Sequence, residues 1–385
     1  MVTTEPEVKA SEDFFDPAFV EAAAADAREK LGRFNLLVAG NTGVGKSTLV
    51  NAVFGVDVAD TGTGFPVTPE LRYYTNADGS LGLWDIEGFE VGRAKPADRI
   101  VEDLRAIAES PREQHVTVAW YCVLADSHRL TDADLEAIRT LNDAGLKVVL
   151  VLTKVARRKK TVGTGYEYPE DVREFAAWIE ARIDDHSLLV EEVVLTAAKA
   201  QGKFGGPPHG LDELVLKTLD LAPRASKDAL RVAQRLSLPL KKDLARKAIA
   251  AAAATAAAAA AVPIPVADAA TLAPIQLGMM GRIASIYGLD VKTMLSPAAV
   301  AQLAIQVSGK ALAKSFIKLV PGIGSVINAT VAAVLTSTAG EGWRKLCEAV
   351  YTEKVPLDKI DEAVGQYAPT VAQVLRGLMN ARRKP

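Results

Sequence analysis

The first half of the chain alternates short apolar runs, mostly of β-branched residues, with stretches whose apolar positions recur at helical spacing. Runs that are apolar throughout indicate strands buried on both faces, as in a parallel sheet covered by helices. The predicted strands span residues 34–39, 71–74, 81–86, 116–124, 147–152 and 192–195. Predicted helices include residues 132–144, 169–183 and 211–219. We therefore predict an α/β domain with a mostly parallel sheet and helices on both faces.

Three further patterns suggest where this domain begins and ends. Residues 18–31 form an amphipathic stretch, which we expect to dock on the sheet as a helix. Thr131 and Asp134 have the spacing of a capping box at the start of the helix 132–144. Residues 201–210 are rich in glycine and proline, as in a surface loop. The predicted organisation is a polar tail over 1–17, the α/β domain over 18–222 and a helical domain over 223–385.

The second half of the chain shows no strand pattern. Helical candidates span residues 226–236, 241–261, 266–287, 297–319, 322–338 and 370–382. Long parts of it are nearly uncharged, and residues 250–261 are alanine except for Thr255. Three alternatives remain open: a soluble bundle whose small residues let helices pack closely, a helical hairpin that inserts into a membrane, or a permanent span over 320–340.

Composition narrows the class of protein. A length of 385 residues suits two domains, and a net charge of −2 argues against a general nucleic-acid coat. Cys122 and Cys347 lie far apart, and the four histidines show no ligand spacing, so the sequence has no metal motif built from cysteine or histidine. The polar, acidic N-terminus does not resemble a signal peptide. We expect a cytoplasmic protein, with peripheral attachment to the inner face of the membrane as one option.

A phosphate-binding loop follows the first predicted strand. Its residues are Gly40, Asn41, Thr42, Gly43, Val44, Gly45, Lys46 and Ser47, followed by Thr48 in a predicted helix. This is the pattern GxxxxGK[ST] between a strand and a helix. Its backbone N–H groups and the helix N-terminus face an anion, and the lysine supplies a cation for the β- and γ-phosphates. The serine supplies a hydroxyl ligand for Mg²⁺.

Two later segments complete the predicted magnesium and γ-phosphate site. The strand 81–86 leads into Asp85-Ile86-Glu87-Gly88, the pattern DxxG. We expect Asp85 to approach Mg²⁺ through water and the Gly88 N–H to contact the γ-phosphate. Thr68 is the candidate for a third Mg²⁺ ligand, with Thr61 and Thr63 as competitors. The predicted metal ligands are therefore Ser47, Thr68 and Asp85, and the predicted catalytic residues are Lys46, Thr68 and Gly88.

Two segments near the ends of later strands resemble loops that recognise guanine. Thr153-Lys154-Val155-Ala156 resembles [NT]KxD, with Ala156 in the place of the carboxylate that accepts from guanine N1 and N2. Ala197, Ala198 and Lys199, after Thr196, resemble the SAK loop, whose backbone N–H meets guanine O6. The missing carboxylate removes the sharpest discrimination between bases.

In this order the motifs resemble translation-factor-class GTPases of the Era-like and immunity-related type, over about half of the chain. This resemblance implies binding of GTP and GDP, slow hydrolysis and a nucleotide-gated switch. Phe89 occupies the position where Ras-like enzymes place a glutamine that orients water. Gly43 occupies the position of the asparagine that holds potassium in some Era-like relatives. We therefore predict weak intrinsic hydrolysis that a homodimer or another partner stimulates.

Residues 262–288 resemble the helical module of bacterial YcjF-like proteins, a domain of unknown function often joined to Era-like GTPases, and the resemblance extends over roughly 241–338. That resemblance implies association with membrane lipid or a protein partner. Residues 278–282 are similar to the GxxG loop of KH modules, with helix packing as the alternative. The basic run 157–160 suits either an anionic ligand or a solvated loop.

Two rival hypotheses accompany the switch hypothesis. One is a nucleotide-binding module that does not hydrolyse and has relaxed base specificity, suggested by Ala156 and Phe89. The other is an Era-like factor for RNA or the ribosome, which the near-zero net charge disfavours.

Overall fold

The structure is a computed structural model that describes most, but not all, of the chain. The described residues are 31–55, 65–66, 71–76, 78–86, 96–201, 206–261, 268–295 and 324–367, together with Ala25 and Glu29. They fall into two compact units, one spanning residues 31–238 and one that includes the described residues after 238. The domain boundary predicted after residue 222 stays a prediction.

A seven-stranded sheet forms the centre of the first unit. The strands are β1 Phe34–Gly40, β2 Phe65–Pro66, β3 Leu71–Thr75, β4 Leu81–Ile86, β5 Val118–Leu124, β6 Lys147–Thr153, β7 Arg158–Lys159, β8 Tyr166–Glu167 and β9 Val190–Leu195. The order in the sheet is β2-β3-β4-β1-β5-β6-β9, and β7 pairs with β8 in a separate short hairpin. Within the seven-stranded sheet, only the pairs β2–β3 and β3–β4 are antiparallel. The predicted mostly parallel sheet is confirmed.

Eleven helices are described. They are α1 Lys46–Phe54, α2 Pro96–Glu109, α3 Asp132–Asp143, α4 Glu170–Asp185, α5 Leu211–Leu221, α6 Lys227–Ala233, α7 Leu238–Ala260, α8 Asp268–Ile286, α9 Val291–Met294, α10 Gly324–Tyr351 and α11 Ile360–Tyr367.

Helices cover both faces of the sheet, as the uniformly apolar strands require. On one face, Ile138 of α3 and Ile179 of α4 belong to the same fully buried cluster as Leu37 and Leu150 of the sheet. On the other face, the ring of Phe54 in α1 stacks on Trp120 at 5.8 Å. The Trp120 Nε1 atom donates to Thr218 Oγ1 of α5 at 2.9 Å. Burial of both faces explains why the strands carry few polar residues.

The carboxyl ends of the parallel strands meet at one edge of the sheet. β1 runs parallel to its neighbours β4 and β5, and β6 runs parallel to β5 and β9. The loops that follow β1, β6 and β9 therefore converge at that edge, where open α/β sheets place their ligands.

Some elements differ from the sequence-based prediction. The helix predicted over 322–338 continues to Tyr351, because Gly340 lies in a close crossing rather than at a helix end. A Cβ at Gly340 would lie 2.7 Å from Met279 Sδ and 2.9 Å from Ile249 Cγ1, so any larger residue there requires these side chains to shift. The helices α2, α9 and α11 and the β7–β8 hairpin were not predicted. The predicted helices over 297–319 and 370–382, and nearly all of 18–31, lie outside the described residues.

The second unit packs α8 against α10 through buried polar as well as apolar contacts. Trp343 of α10 is buried, and its Nε1 atom donates to the carbonyl oxygen of Met280 at 2.9 Å. Residues 278–282, weighed as a KH-like loop, lie inside α8, so they form no loop there. Among the residues that the structure describes, no helix combines the length and hydropathy needed to cross a bilayer.

Candidate functional site

The glycine-rich loop joins β1 to α1 at the carboxyl edge of the sheet. Gly40 closes β1 with a φ of 135°, and a Cβ there would overlap the carbonyl oxygen of Cys122 on the neighbouring strand. Gly45 is the N-cap of α1 with a φ of 105°, a conformation that side chains disfavour. The loop can therefore pass close to β5 and turn sharply into the helix only with glycine at these positions.

Lys46 lies across this loop. Its Nζ atom donates to the carbonyl oxygens of Gly40 at 2.9 Å and Asn41 at 3.3 Å. Thr42, Gly43 and Ser47 are exposed, whereas Val44 is buried. A cation, the first turn of a helix and an exposed run of backbone thus face the same side, which suits a polyphosphate.

The end of β6 braces the loop. The buried Thr153 hydroxyl donates to the carbonyl oxygen of Val44 at 2.6 Å. Lys154, in a left-handed conformation with a φ of 55°, donates from Nζ to the carbonyl oxygen of Gly43 at 2.8 Å. Two residues proposed to frame a base therefore also fix the phosphate loop, although more than 100 residues separate them in sequence from it.

The segment after β9 is tied to β6 and to the loop before α5. The Thr196 N–H donates to Leu152 O at 2.7 Å, and Val155 N–H donates to Thr196 O at 2.9 Å. Ala197 and His209 exchange two backbone hydrogen bonds of 3.0 Å. Burial lowers the pKa of His209, and the nearby charge of Arg157 lowers it further. The hydrogen bond with the Pro207 carbonyl oxygen acts in the opposite direction but does not outweigh them. His209 is therefore neutral at pH 7 and acts as a packed support.

These three loops line a cavity of about 270 Å³ that is partly open to solvent. Its lining residues are Gly45, Thr48, Leu49, Thr153, Lys154, Thr196, Ala198, Lys199, Ala200 and Gln201. The structure thus brings together the phosphate loop and both segments compared with guanine-binding loops. Ala197 is buried behind the lining, and Ala156 is not part of it.

Oxygen ligands for a divalent cation lie next to the phosphate loop. Ser47 is exposed in the first turn of α1, and Asp85 is the penultimate residue of β4, in register with Val38 of β1. Hydroxyl and carboxylate oxygens fit Mg²⁺, which takes its remaining ligands from water and phosphate. The described residues contain no cluster of three or more His, Cys, Asp or Glu that could hold a metal ion. Thr68 and Gly88 lie outside the described residues.

Cys122 lies under this region as a buried thiol. Burial raises its pKa to about 12, while the charge of Lys46 opposes the rise and that of Asp85 adds to it. The thiol therefore stays protonated at neutral pH and contributes packing rather than reactivity.

Asp134 supports the phosphate loop from the start of α3. Its Oδ1 atom accepts from Asn41 Nδ2 at 3.3 Å and from Tyr121 Oη at 2.8 Å. Its Oδ2 atom accepts from the Thr131 N–H at 2.8 Å and the Thr131 hydroxyl at 2.6 Å. The predicted capping box is confirmed. Its link to Asn41 was missed, because nothing in local spacing indicates a contact across 93 residues.

We expect Asp134→Asn to lower the local free energy of opening at β1 and α3 by about 2–3 kcal/mol. The carboxamide of asparagine keeps one acceptor oxygen, so either the Asn41 and Tyr121 donors or the two Thr131 donors lose their acceptor. Hydrogen exchange of the full chain measures this. Asp132→Asn is the matched control, because Asp132 lies in the same first turn with its side chain 87% exposed and should change the value by less than ~0.5 kcal/mol. Equal effects of the two variants would contradict the bracing role.

A glycine-rich loop between a parallel strand and a helix, beside a cavity at the carboxyl edge of the sheet, defines the class of P-loop nucleotide-binding proteins. Comparisons with known families agree. Residues 35–154 match the family described as 50S ribosome-binding GTPase. Residues 224–372 match the family described as Domain of unknown function (DUF697).

Curated relatives lie in the same class. The chain is 24% identical over 204 residues to the probable GTP-binding protein EngB of Rhodopseudomonas palustris (strain BisA53), covering 49% of this chain and 90% of that protein. It is 32% identical over 133 residues to the probable GTP-binding protein EngB of Jannaschia sp. (strain CCS1), covering 34% of this chain and 60% of that protein. It is 33% identical over 128 residues to GTPase Era of Xanthomonas axonopodis pv. citri (strain 306), covering 32% of this chain and 40% of that protein.

Residues 35–154 are therefore similar to P-loop GTPases of the EngB and Era type, and residues 224–372 match a DUF697 region. The Era-like resemblance is confirmed, and the YcjF-like resemblance is consistent with DUF697.

Proposed function

We propose that this protein binds GTP and GDP in the cavity, hydrolyses GTP slowly, and uses the bound nucleotide to control its helical region. The strongest support is that three loops line one cavity. Thr153 and Lys154, which belong to one of these loops, are hydrogen-bonded to the phosphate loop. A base placed in this cavity has its phosphates beside the N-terminus of α1.

The phosphates are held mainly by backbone and by one side chain. The N–H groups of residues 41–47 point at oxygen atoms that carry negative charge, and the helix dipole of α1 adds to their effect. Lys46 exchanges its contacts with Gly40 O and Asn41 O for the β- and γ-phosphates. Thr48, which lines the cavity, lies beside the phosphate nearest the ribose.

The proposed magnesium ligands are Ser47 and Thr68, with Asp85 acting through water. When bound, Mg²⁺ neutralises charge on the β- and γ-phosphate oxygens. Ser47 and Asp85 supply hard oxygen atoms: Ser47 lies in α1, which follows β1, and Asp85 lies in β4, which pairs with β1. In this arrangement Thr68 and the Gly88 N–H change partners when the γ-phosphate leaves, which is the proposed switch.

Hydrolysis should be slow without help. Lys46 stabilises charge on the transferring phosphoryl group, but the residue after the DxxG pattern is Phe89, which cannot orient water by hydrogen bonding. We propose that a second copy of the chain or another partner supplies this function.

Single-turnover phosphate release from bound GTP tests the enzymatic part. We expect a rate constant on the order of 10⁻³ s⁻¹ or less for the isolated protein, as for unstimulated small GTPases. A rate near the ~5–20 s⁻¹ of a stimulated enzyme, without a partner, would show that the water is positioned internally. Binding without any release would favour the module that does not hydrolyse.

The helical region is proposed to meet membrane lipid or a protein partner, with the protein in the cytoplasm or peripheral at the inner face of the membrane. Hydrogen exchange of α7, α8 and α10 with GDP and with a non-hydrolysable GTP analogue tests the control of this region. We expect protection to differ between the two nucleotide states, and identical protection would contradict the switch.

A separate experiment distinguishes the partner: flotation with anionic vesicles is compared with RNA binding at the same fixed salt concentration.

A further inference from the structure

We propose that Gln201 recognises the purine base, in the role that a carboxylate at position 156 would otherwise fill. The proposal rests on the proposed binding of GTP in this cavity. It assigns base selectivity to a residue outside the motifs that the sequence displays.

Among the residues that the structure describes, none that lines the cavity carries a carboxylate. Guanine presents two donors on one edge, N1–H and the N2 amino group, and a buried donor without an acceptor is costly. Ala156 carries only a methyl group and does not line the cavity. None of the ten lining residues is Asp or Glu. Another acceptor must therefore meet the guanine edge, or this edge stays unsatisfied.

Most lining side chains cannot supply that acceptor. The hydroxyl groups of Thr153 and Thr196 are buried and directed at Val44 O and Leu152 O. Lys154 and Lys199 carry donors only. Thr48 lies in the first turn of α1, and in the proposed mode of binding its hydroxyl serves the phosphates.

Gln201 remains, and it is the one carboxamide among the described residues of the lining. Its Nε2 atom donates to the carbonyl oxygen of Lys199 at 2.9 Å. This bond fixes the nitrogen end of the amide against its own loop, so that Oε1 is the end available to accept. An oxygen atom in this cavity can accept from N1–H or N2–H of guanine.

A carboxamide discriminates less than a carboxylate. Hydrogen bonds to a charged acceptor are roughly twice as strong as those to a neutral one. A carboxamide can also rotate to present its N–H groups, which match the N1 acceptor of adenine. The expected phenotype is therefore a preference for GTP over ATP that is real but smaller than ~100-fold.

Calorimetric titration of the full chain with GTP, ITP and ATP tests this proposal. ITP lacks the N2 amino group. We expect Gln201→Ala to weaken GTP binding about tenfold, ITP binding by a smaller factor and ATP binding least. The reason is that the base edge facing Oε1 carries fewer donors in ITP than in GTP, and fewest in ATP. Gln201→Glu should raise the ratio of GTP to ATP affinity about tenfold, because a fixed negative acceptor favours guanine and repels the adenine N1.

Matched controls are Gln366→Ala and Gln366→Glu, since Gln366 is an exposed glutamine of α11 in the other unit. If the wild-type protein binds no GTP, the proposed function fails and this inference fails with it. If wild-type binding is intact and both Gln201 variants leave the three affinities in their original ratio, the inference alone is overturned. A uniform loss for all three nucleotides would also overturn it, because that marks a general effect on the loop.

Discussion

Lys46→Ala is expected to weaken GTP binding by roughly 100-fold or more, with little change in folding. In the structure the Lys46 Nζ atom lies over the loop, bonded to Gly40 O and Asn41 O. Loss of the charge-assisted contacts to two phosphates costs about 3 kcal/mol, which corresponds to a factor above 100 in affinity. Calorimetric titration with GTP measures the effect, and thermal melting without nucleotide verifies the fold.

Lys147→Ala is the matched control for this prediction. Lys147 is an exposed lysine at the start of β6, at the edge of the sheet opposite the phosphate loop. It changes the net charge equally but removes no phosphate contact, so the affinity should stay within about twofold. If both variants lost affinity to the same extent, long-range charge rather than a direct contact would explain the role of Lys46.

Arg344→Ala should lower the stability of the helical unit by about 3 kcal/mol. The Arg344 side chain is only 5% exposed and forms a two-pronged pair with Glu341, at 2.9 Å and 2.7 Å. It also donates to Glu348 at 2.6 Å. Truncation leaves Glu341 without this partner and Glu348 with only Lys242, at 2.8 Å. The loss of a largely buried cation therefore costs more than a surface ion pair would.

Hydrogen exchange of α10 in the full chain measures this change, because a chain of two units does not unfold in one step. Lys345→Ala is the control, since Lys345 is the exposed neighbour on the same helix and should cost less than ~0.5 kcal/mol. No difference between the two variants would show that the ion pairs contribute no net stability.

The same network predicts a dependence on pH. Burial alone would raise the pKa of Glu348, but hydrogen bonds from Lys242 and Arg344 bring it below its ordinary value of 4.5. Glu341 behaves in the same way with Arg344. A lowered pKa stabilises the fold above pH 4.5, and this stability is lost as the pH falls through the folded-state pKa. Arg344→Ala should therefore flatten the loss of α10 protection between pH 6 and pH 3.

Several elements could be predicted because their signals are local. The phosphate loop, its flanking strand and helix, and the Thr131–Asp134 capping box each depend on residues that are near in sequence. The end of α10 could not be predicted, because Gly340 is used for a close crossing with α7 and α8 rather than as a helix end. The proposed role of Gln201 carried no sequence signal, since no pattern places a glutamine two residues after the TAAK segment.

The sequence by itself determined the class of protein: an α/β domain with a GxxxxGK[ST] loop, followed by a helical region. It did so because both hydrophobic periodicity and the phosphate-binding motif depend on short, contiguous segments of the sequence. Tertiary structure decided which residues support and line the site. Only the parallel pairing of β1, β5, β6 and β9 brings Thr153 to Val44, Asp134 to Asn41 and Gln201 to the cavity. Those contacts join residues far apart in sequence, and burial across the sheet fixes them, so no local pattern could specify them.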